Sequence, residues 1–204
     1  MDEHAFWYMT RSAGFVAYLL LFASVVFGLT MTTSFIQRLV PRYRVYDLHR
    51  FLSLLTLSVT VFHVLIVLPD GFFGFTLREL LVPFASPYEP FFMGLGSFSL
   101  YFMAIAIGAF YLRPLVSYSL WRTLHYTTFA VFVLAVVHGV GAGTDTGATW
   151  ATWLYAVTGL VVFNLVVWRV FWGRSHGIVS KPAETPAPQR SAGIAPSAEF
   201  ADNL

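Results

Sequence analysis

The stretch Asp47-Leu48-His49-Arg50 leads through an apolar run to Val61-Phe62-His63-Val64. It sets two histidines at a spacing of 14. Trp121-Arg122-Thr123-Leu124-His125-Tyr126 then leads to Val136-Val137-His138-Gly139 and repeats the arrangement at a spacing of 13. At about 1.5 Å rise per residue, each pair spans roughly 20 Å along a helix. That length fits inside a hydrocarbon layer about 30 Å thick. Two helices that each carry an upper and a lower imidazole can ligate two metal centres, one stacked above the other.

Composition places the chain in a bilayer. Of 204 residues, 57% are hydrophobic and 11% charged, against roughly 25% charged in soluble domains. The mean hydropathy is +0.70. The length suits one domain. Hydrophobic runs at about 11–33, 46–68, 92–112, 120–141 and 151–172 each approach the ~20 residues of a membrane-crossing helix. The expected fold is all-α, a polytopic membrane bundle of about five helices around two stacked b haems. Pro69-Asp70-Gly71 ends the second run, Pro114 the third and Gly139–Gly147 the fourth. In the connection 69–91, Leu80-Leu81-Val82-Pro83-Phe84 is too short to cross and is expected at the interface. Trp150, Trp153, Trp168 and Trp172 sit near the ends of the fifth run, as in an aromatic belt.

The domain division is 1–174 for the di-haem unit and 175–204 for a Ser-, Ala- and Pro-rich cytoplasmic tail expected to be disordered. That tail has no nucleotide fingerprint. The first run lacks the basic start and small-residue cleavage site of a removable signal, so it is expected to be retained. The net charge of +2 gives no reason to expect nucleic acid. The absence of cysteine excludes disulfides, iron–sulfur clusters, Cys-bound zinc and covalently attached haem.

Orientation follows from the basic residues. Arg38, Arg42, Arg44, Arg50, Arg113, Arg122, Arg169, Arg174, Lys181 and Arg190 fall on one side, Arg11 and Arg78 on the other. The positive-inside rule then puts the N-terminus outside and the C-terminus in the cytoplasm. The expected ligand pairs are His49 with His125 for the inner haem, and His63 with His138 for the outer. Two imidazoles make iron six-coordinate and low-spin, suited to electron transfer. Zinc fits less well, because two ligands per level is half its shell and no Asp or Glu lies beside these histidines. His4 and His176 lie outside the runs and are read as solvated. Arg50 and Arg122 flank the inner ligands and Arg11 enters at the outer end; all three are candidate partners of haem propionates, against topogenic or snorkelling roles. Phe132 is a candidate to pack between the haems, against a role as core filler. One difficulty is geometric. A spacing of 14 returns to within about 40° of the starting direction, but a spacing of 13 ends about 140° away, so the fourth helix must bend, bulge or stagger.

The quoted stretches, together with Gly141-Ala142-Gly143-Thr144-Asp145, resemble the ferric reductase-like transmembrane domain over roughly residues 10–172. Ferric reductases, NADPH oxidases and the membrane subunit of the bacterial periplasmic methionine sulfoxide reductase system share that domain. The resemblance implies that His49, His63, His125 and His138 bind two non-covalent b haems in a bacterial inner-membrane protein. The family core commonly has six spans, and the one expected to be missing carries no haem ligand. The fused flavin and NADPH domains of the eukaryotic oxidases are not expected either. The implied activity is that of an oxidoreductase membrane component. Electrons would pass from a separate flavoprotein or from quinol to an external acceptor of unknown identity. Two other readings stand beside it: a quinol-linked cytochrome b subunit of a respiratory complex, and a non-enzymatic haem-binding membrane protein.

Overall fold

A computed structural model of the chain describes residues 5–31, 40–69 and 74–175. Within them the chain forms α1 (Ala5–Thr30), α2 (Arg42–Ile66), α3 (Leu77–Leu81), α4 (Pro90–Tyr111), a 3-10 turn (Arg113–Leu115), α5 (Tyr118–Ala142) and α6 (Thr149–Ser175). Among the described residues there is no strand. Five of the helices, all but α3, are long and apolar enough to cross a membrane. The protein is an integral membrane protein. The tail assigned to 175–204 lies, apart from Ser175, outside the described residues, as do His4, His176, Asp70 and Gly71.

Helix is the only solution for these runs, because a backbone in hydrocarbon must satisfy its own N–H and C=O groups. The hydroxyls inside α2 obey the same demand. Ser53, Thr56, Ser58 and Thr60 each donate to the carbonyl one turn back. Helix starts follow local chemistry. Ser117 accepts the amide of Leu120 at the head of α5, and Pro90 occupies the first turn of α4.

α1 begins earlier than the apolar run suggested, at Ala5 rather than near 11. Arg11 looks like a membrane boundary in sequence. It does not end the helix, because Asp145 neutralises it. The connection before α4 also carries more structure than expected. α3 opens on a capping box in which Thr76 and Glu79 satisfy each other's backbone amides. The Thr76 amide and hydroxyl hold the Glu79 carboxyl below the usual range. α3 is tied down by Ser97 Oγ, which donates to Leu80 O at 2.8 Å, and by the Tyr101 hydroxyl on Leu81 O. Phe84 adopts a left-handed backbone (φ 66°) with its ring lying over Gly94. A β-carbon at Gly94 would come within 2.5 Å of that ring.

Two antiparallel hairpins, α1 with α2 and α4 with α5, form the main packing units, and α6 rests chiefly on α1. α1 is the most enclosed helix, burying Tyr18, Leu21, Val25 and Leu29 against Met103 of α4 and Val131 and Phe132 of α5. The end that carries Ala5 is termed the upper end, the other the lower. With five crossings, α2 and α5 both run from lower to upper. His49 and His125 therefore share the lower level, and His63 and His138 the upper.

Candidate functional site

The four membrane histidines meet in two pairs. The ring centroids of His49 and His125 lie 6.2 Å apart with planes at 85°. Those of His63 and His138 lie 6.5 Å apart at 78°. If a metal–imidazole bond is about 2.0–2.1 Å and the nitrogen lies ~1.2 Å from its ring centroid, two rings binding one ion from opposite sides have centroids roughly 6.4 Å apart. Both pairs meet that distance. Each ring pair opens on a cavity, of about 200 Å³ below and 210 Å³ above. Packed interiors hold few voids larger than a water.

Backbone carbonyls orient three of the four rings. His49 Nδ1 donates to Ser24 O at 2.8 Å, His63 Nδ1 to Thr10 O at 2.9 Å, and His138 Nδ1 to Phe92 O at 2.9 Å. A carbonyl can only accept, so these Nδ1 atoms carry the proton and Nε2 keeps its lone pair for a ligand. Among the described residues His125 has no such bond. Its ring stacks on Trp121, one turn earlier, at 5.4 Å and 19°. Arg113 lies over the same indole, 4.9 Å from its centroid.

Glycines seat the same three rings. A β-carbon on Gly14 would come 3.0 Å from His63 Cε1, one on Gly28 would come 3.1 Å from His49 Cε1, and one on Gly96 would come 2.8 Å from His138 Cε1. The interval from Gly14 to Gly28 on α1 equals that from His49 to His63 on α2. The sequence carries that register, although glycine spacing alone does not single it out. α5 stays an unbroken helix through both of its histidines. His138 turns to Phe92 and Gly96 on α4, while His125 leans along its own helix onto Trp121. Different side-chain surroundings, rather than a helix break, absorb the shorter spacing on α5.

The arginines divide. Arg50 lines the lower cavity. Arg122 is exposed, and its guanidinium donates at 3.2 and 3.3 Å to the hydroxyl of Tyr126, itself a residue of the lower lining. Arg11 lines the upper cavity and is bound to Asp145 by two hydrogen bonds, Nε to Oδ2 at 2.8 Å and Nη2 to Oδ1. Asp145 also lines that cavity. Arg169, which in the sequence counts only toward topology, lines the lower one and donates to Leu29 O at 3.4 Å. Phe132 packs on Tyr18 at 6.0 Å. Leu21 and Met103 are the buried residues that line both cavities and so stand between them. Two buried polar atoms lack a partner among the described residues: Thr10 Oγ1, on a residue lining the upper cavity, and Trp121 Nε1, on one lining the lower. No three His, Cys, Asp or Glu side chains come together as a metal cluster among the described residues.

The family model for the ferric reductase like transmembrane component matches residues 13–136. The chain belongs to that family. The matched stretch includes His49, His63 and His125 and ends just before His138. No curated protein and no solved structure matches. Membership in the ferric reductase-like family makes the chain an oxidoreductase membrane component, with electron transfer in the membrane as its business.

Proposed function

We propose that this ferric reductase-like chain carries electrons across the bilayer through two b haems, one at each ring pair. His49 and His125 hold the lower haem, His63 and His138 the upper. The observation that carries this reading is the pair of centroid separations, 6.2 and 6.5 Å, on a single pair of helices. The donor set suits haem. Among the described residues each level offers two imidazoles and no third ligand, short of a zinc shell, whereas a haem macrocycle would supply the remaining four positions of iron. The linings are largely apolar side chains. Each also contains a residue with an unpartnered buried polar atom and at least one arginine, suited to a flat apolar group with acidic edges.

When bound, haem supplies a one-electron couple. The chain's residues do the rest. Carbonyls of Ser24, Thr10 and Phe92 keep three imidazoles aimed and correctly protonated. Leu21 and Met103 keep the two centres apart. α3 and its connection cover the upper cavity through Phe75, Leu80 and Tyr88. Among the described residues, Arg42, Arg44, Arg50, Arg113, Arg122 and Arg169 lie toward the lower end and Arg11 and Arg78 toward the upper, a bias that supports a cytoplasmic lower end. Electrons enter from a separate flavoprotein or from quinol and leave to an external acceptor. The test is reconstitution into liposomes with a reductant on the cytoplasmic side and an impermeant acceptor on the other. The wild-type chain should reduce the acceptor and His63→Ala should not. Equal acceptor reduction by both would refute the pathway.

A further inference from the structure

The two buried polar atoms without a partner among the described residues, Thr10 Oγ1 and Trp121 Nε1, occupy matching places. Thr10 lines the upper cavity, and its carbonyl accepts from the upper ligand His63 at 2.9 Å. Trp121 lines the lower cavity, and its indole stacks on the lower ligand His125. At each level, a residue that steadies a ligand imidazole also holds an unused hydrogen-bonding group.

The Thr10 hydroxyl departs from its neighbours in the bundle. Ser53, Thr56, Thr60, Thr128 and Thr158 each donate to a carbonyl about one turn back in their own helix. Thr10 lies inside α1 with Phe6 one turn before it, and makes no such bond. Leaving a buried polar group unpaired is costly, so both positions call for a partner that enters the cavities. An indole N–H can only donate, and a hydroxyl can donate as well. One kind of partner therefore serves both levels, an acceptor oxygen, and a carboxylate is the strongest of these. Each lining also contains an arginine, Arg11 above in its pair with Asp145 and Arg50 below.

We propose that Thr10 and Trp121 each donate a hydrogen bond to a carboxylate of the haem at their level. This rests on the two-haem reading above. The same residue then steadies the axial ligand and holds the edge of the cofactor, so that ring and macrocycle are fixed together.

The test is titration of the apoprotein with haem b and with iron etioporphyrin, which carries alkyl groups in place of the carboxylates. A His49→Ala background isolates the upper level and His138→Ala the lower. Thr10→Val keeps the side-chain shape and the carbonyl that holds His63. Its apoprotein should melt no lower than the parent, because an unpaired hydroxyl is gone, yet it should bind the upper haem about 10–100-fold more weakly. Thr10→Ser should restore binding. Trp121→Phe, which keeps an aromatic face for His125, should weaken the lower haem in the same way. Neither Thr10→Val nor Trp121→Phe should alter binding of the alkyl porphyrin. The inference is overturned if either holds haem as tightly as its parent, if Thr10→Ser fails to restore it, or if the loss persists with the alkyl porphyrin. A lower apoprotein melt with both porphyrins weakened alike marks a packing role and also overturns it. A wild-type protein with fewer than two haems would instead refute the two-haem reading itself.

Discussion

Gly96→Ala should loosen the upper haem and leave the lower one bound. The added β-carbon would sit 2.8 Å from both Cε1 and Nδ1 of His138 and 3.1 Å from its Cγ. Ordinary contact between such atoms begins at 3.4 Å, so the ring must retreat by roughly 0.6 Å. The bond from His138 Nδ1 to Phe92 O is 2.9 Å. A retreat of that size stretches it toward ~3.5 Å, the edge of hydrogen bonding. Losing a bond that orients a metal-bound histidine typically weakens the metal by about 10–100-fold, or roughly 1.4–2.8 kcal/mol. Haem titration into the apoprotein, followed at the two levels, reads this directly. Gly28→Ala, at 3.1 Å from His49, should cost less and act on the lower level. Gly108 lies on the same helix as Gly96 and its β-carbon would meet nothing within 4 Å. Gly108→Ala should leave both haems bound and stabilise α4 by up to about 1 kcal/mol. Equal effects at positions 96 and 108, or unchanged upper-haem affinity in Gly96→Ala, would refute the seating of His138 on Gly96.

Removing either His63 or His138 should abolish the upper haem alone, and removing His49 or His125 the lower alone, as counted by pyridine haemochrome and absorbance. Near-perpendicular ring planes, 85° and 78°, leave the iron d-orbitals almost degenerate. Frozen ferric protein should therefore give strongly anisotropic low-spin EPR signals, whereas parallel imidazoles would give a compact spectrum. Arg11→Ala or Asp145→Ala should each lower thermal stability by roughly 1 kcal/mol, the modest worth of a partly exposed pair even when bidentate. The exchanged pair Arg11→Asp with Asp145→Arg should recover part of the loss in a thermal melt. Tags at residues 1 and 204 should be reachable from outside and from the cytoplasm respectively, as the basic residues dictate.

The sequence made the five long helices and the two ring pairs legible because both depend on regular spacing. Apolar length defines a span, and the interval from His49 to His63 brings two imidazoles to one side of α2. The rest depends on contacts between elements that no spacing reveals. Arg11 reads in sequence as a membrane boundary or a partner for acidic groups, and its partnership with Asp145, far along the chain, needed the fold. Arg122 and Arg50 look alike beside their histidines. Both are exposed, but Arg50 lines the lower cavity itself, whereas Arg122 meets it through Tyr126, a residue of the same lining. Arg169 is hidden among topogenic residues because α6 meets the lower cavity only once it packs on α1. The short helix α3 had a signal, Thr76-Leu77-Arg78-Glu79, but its single turn falls below any periodicity. The glycine register on α1 is a mirror of the histidines on α2, and only the packing of the two helices gives it meaning.

Haem content per chain tests the central claim most directly. Purified full-length protein, measured by pyridine haemochrome against protein concentration, should hold two b haems, falling to one in His138→Ala. The haem that remains should keep a six-coordinate low-spin spectrum. One haem or none in the wild-type chain, or loss of both in that variant, would contradict two independent bis-histidine levels.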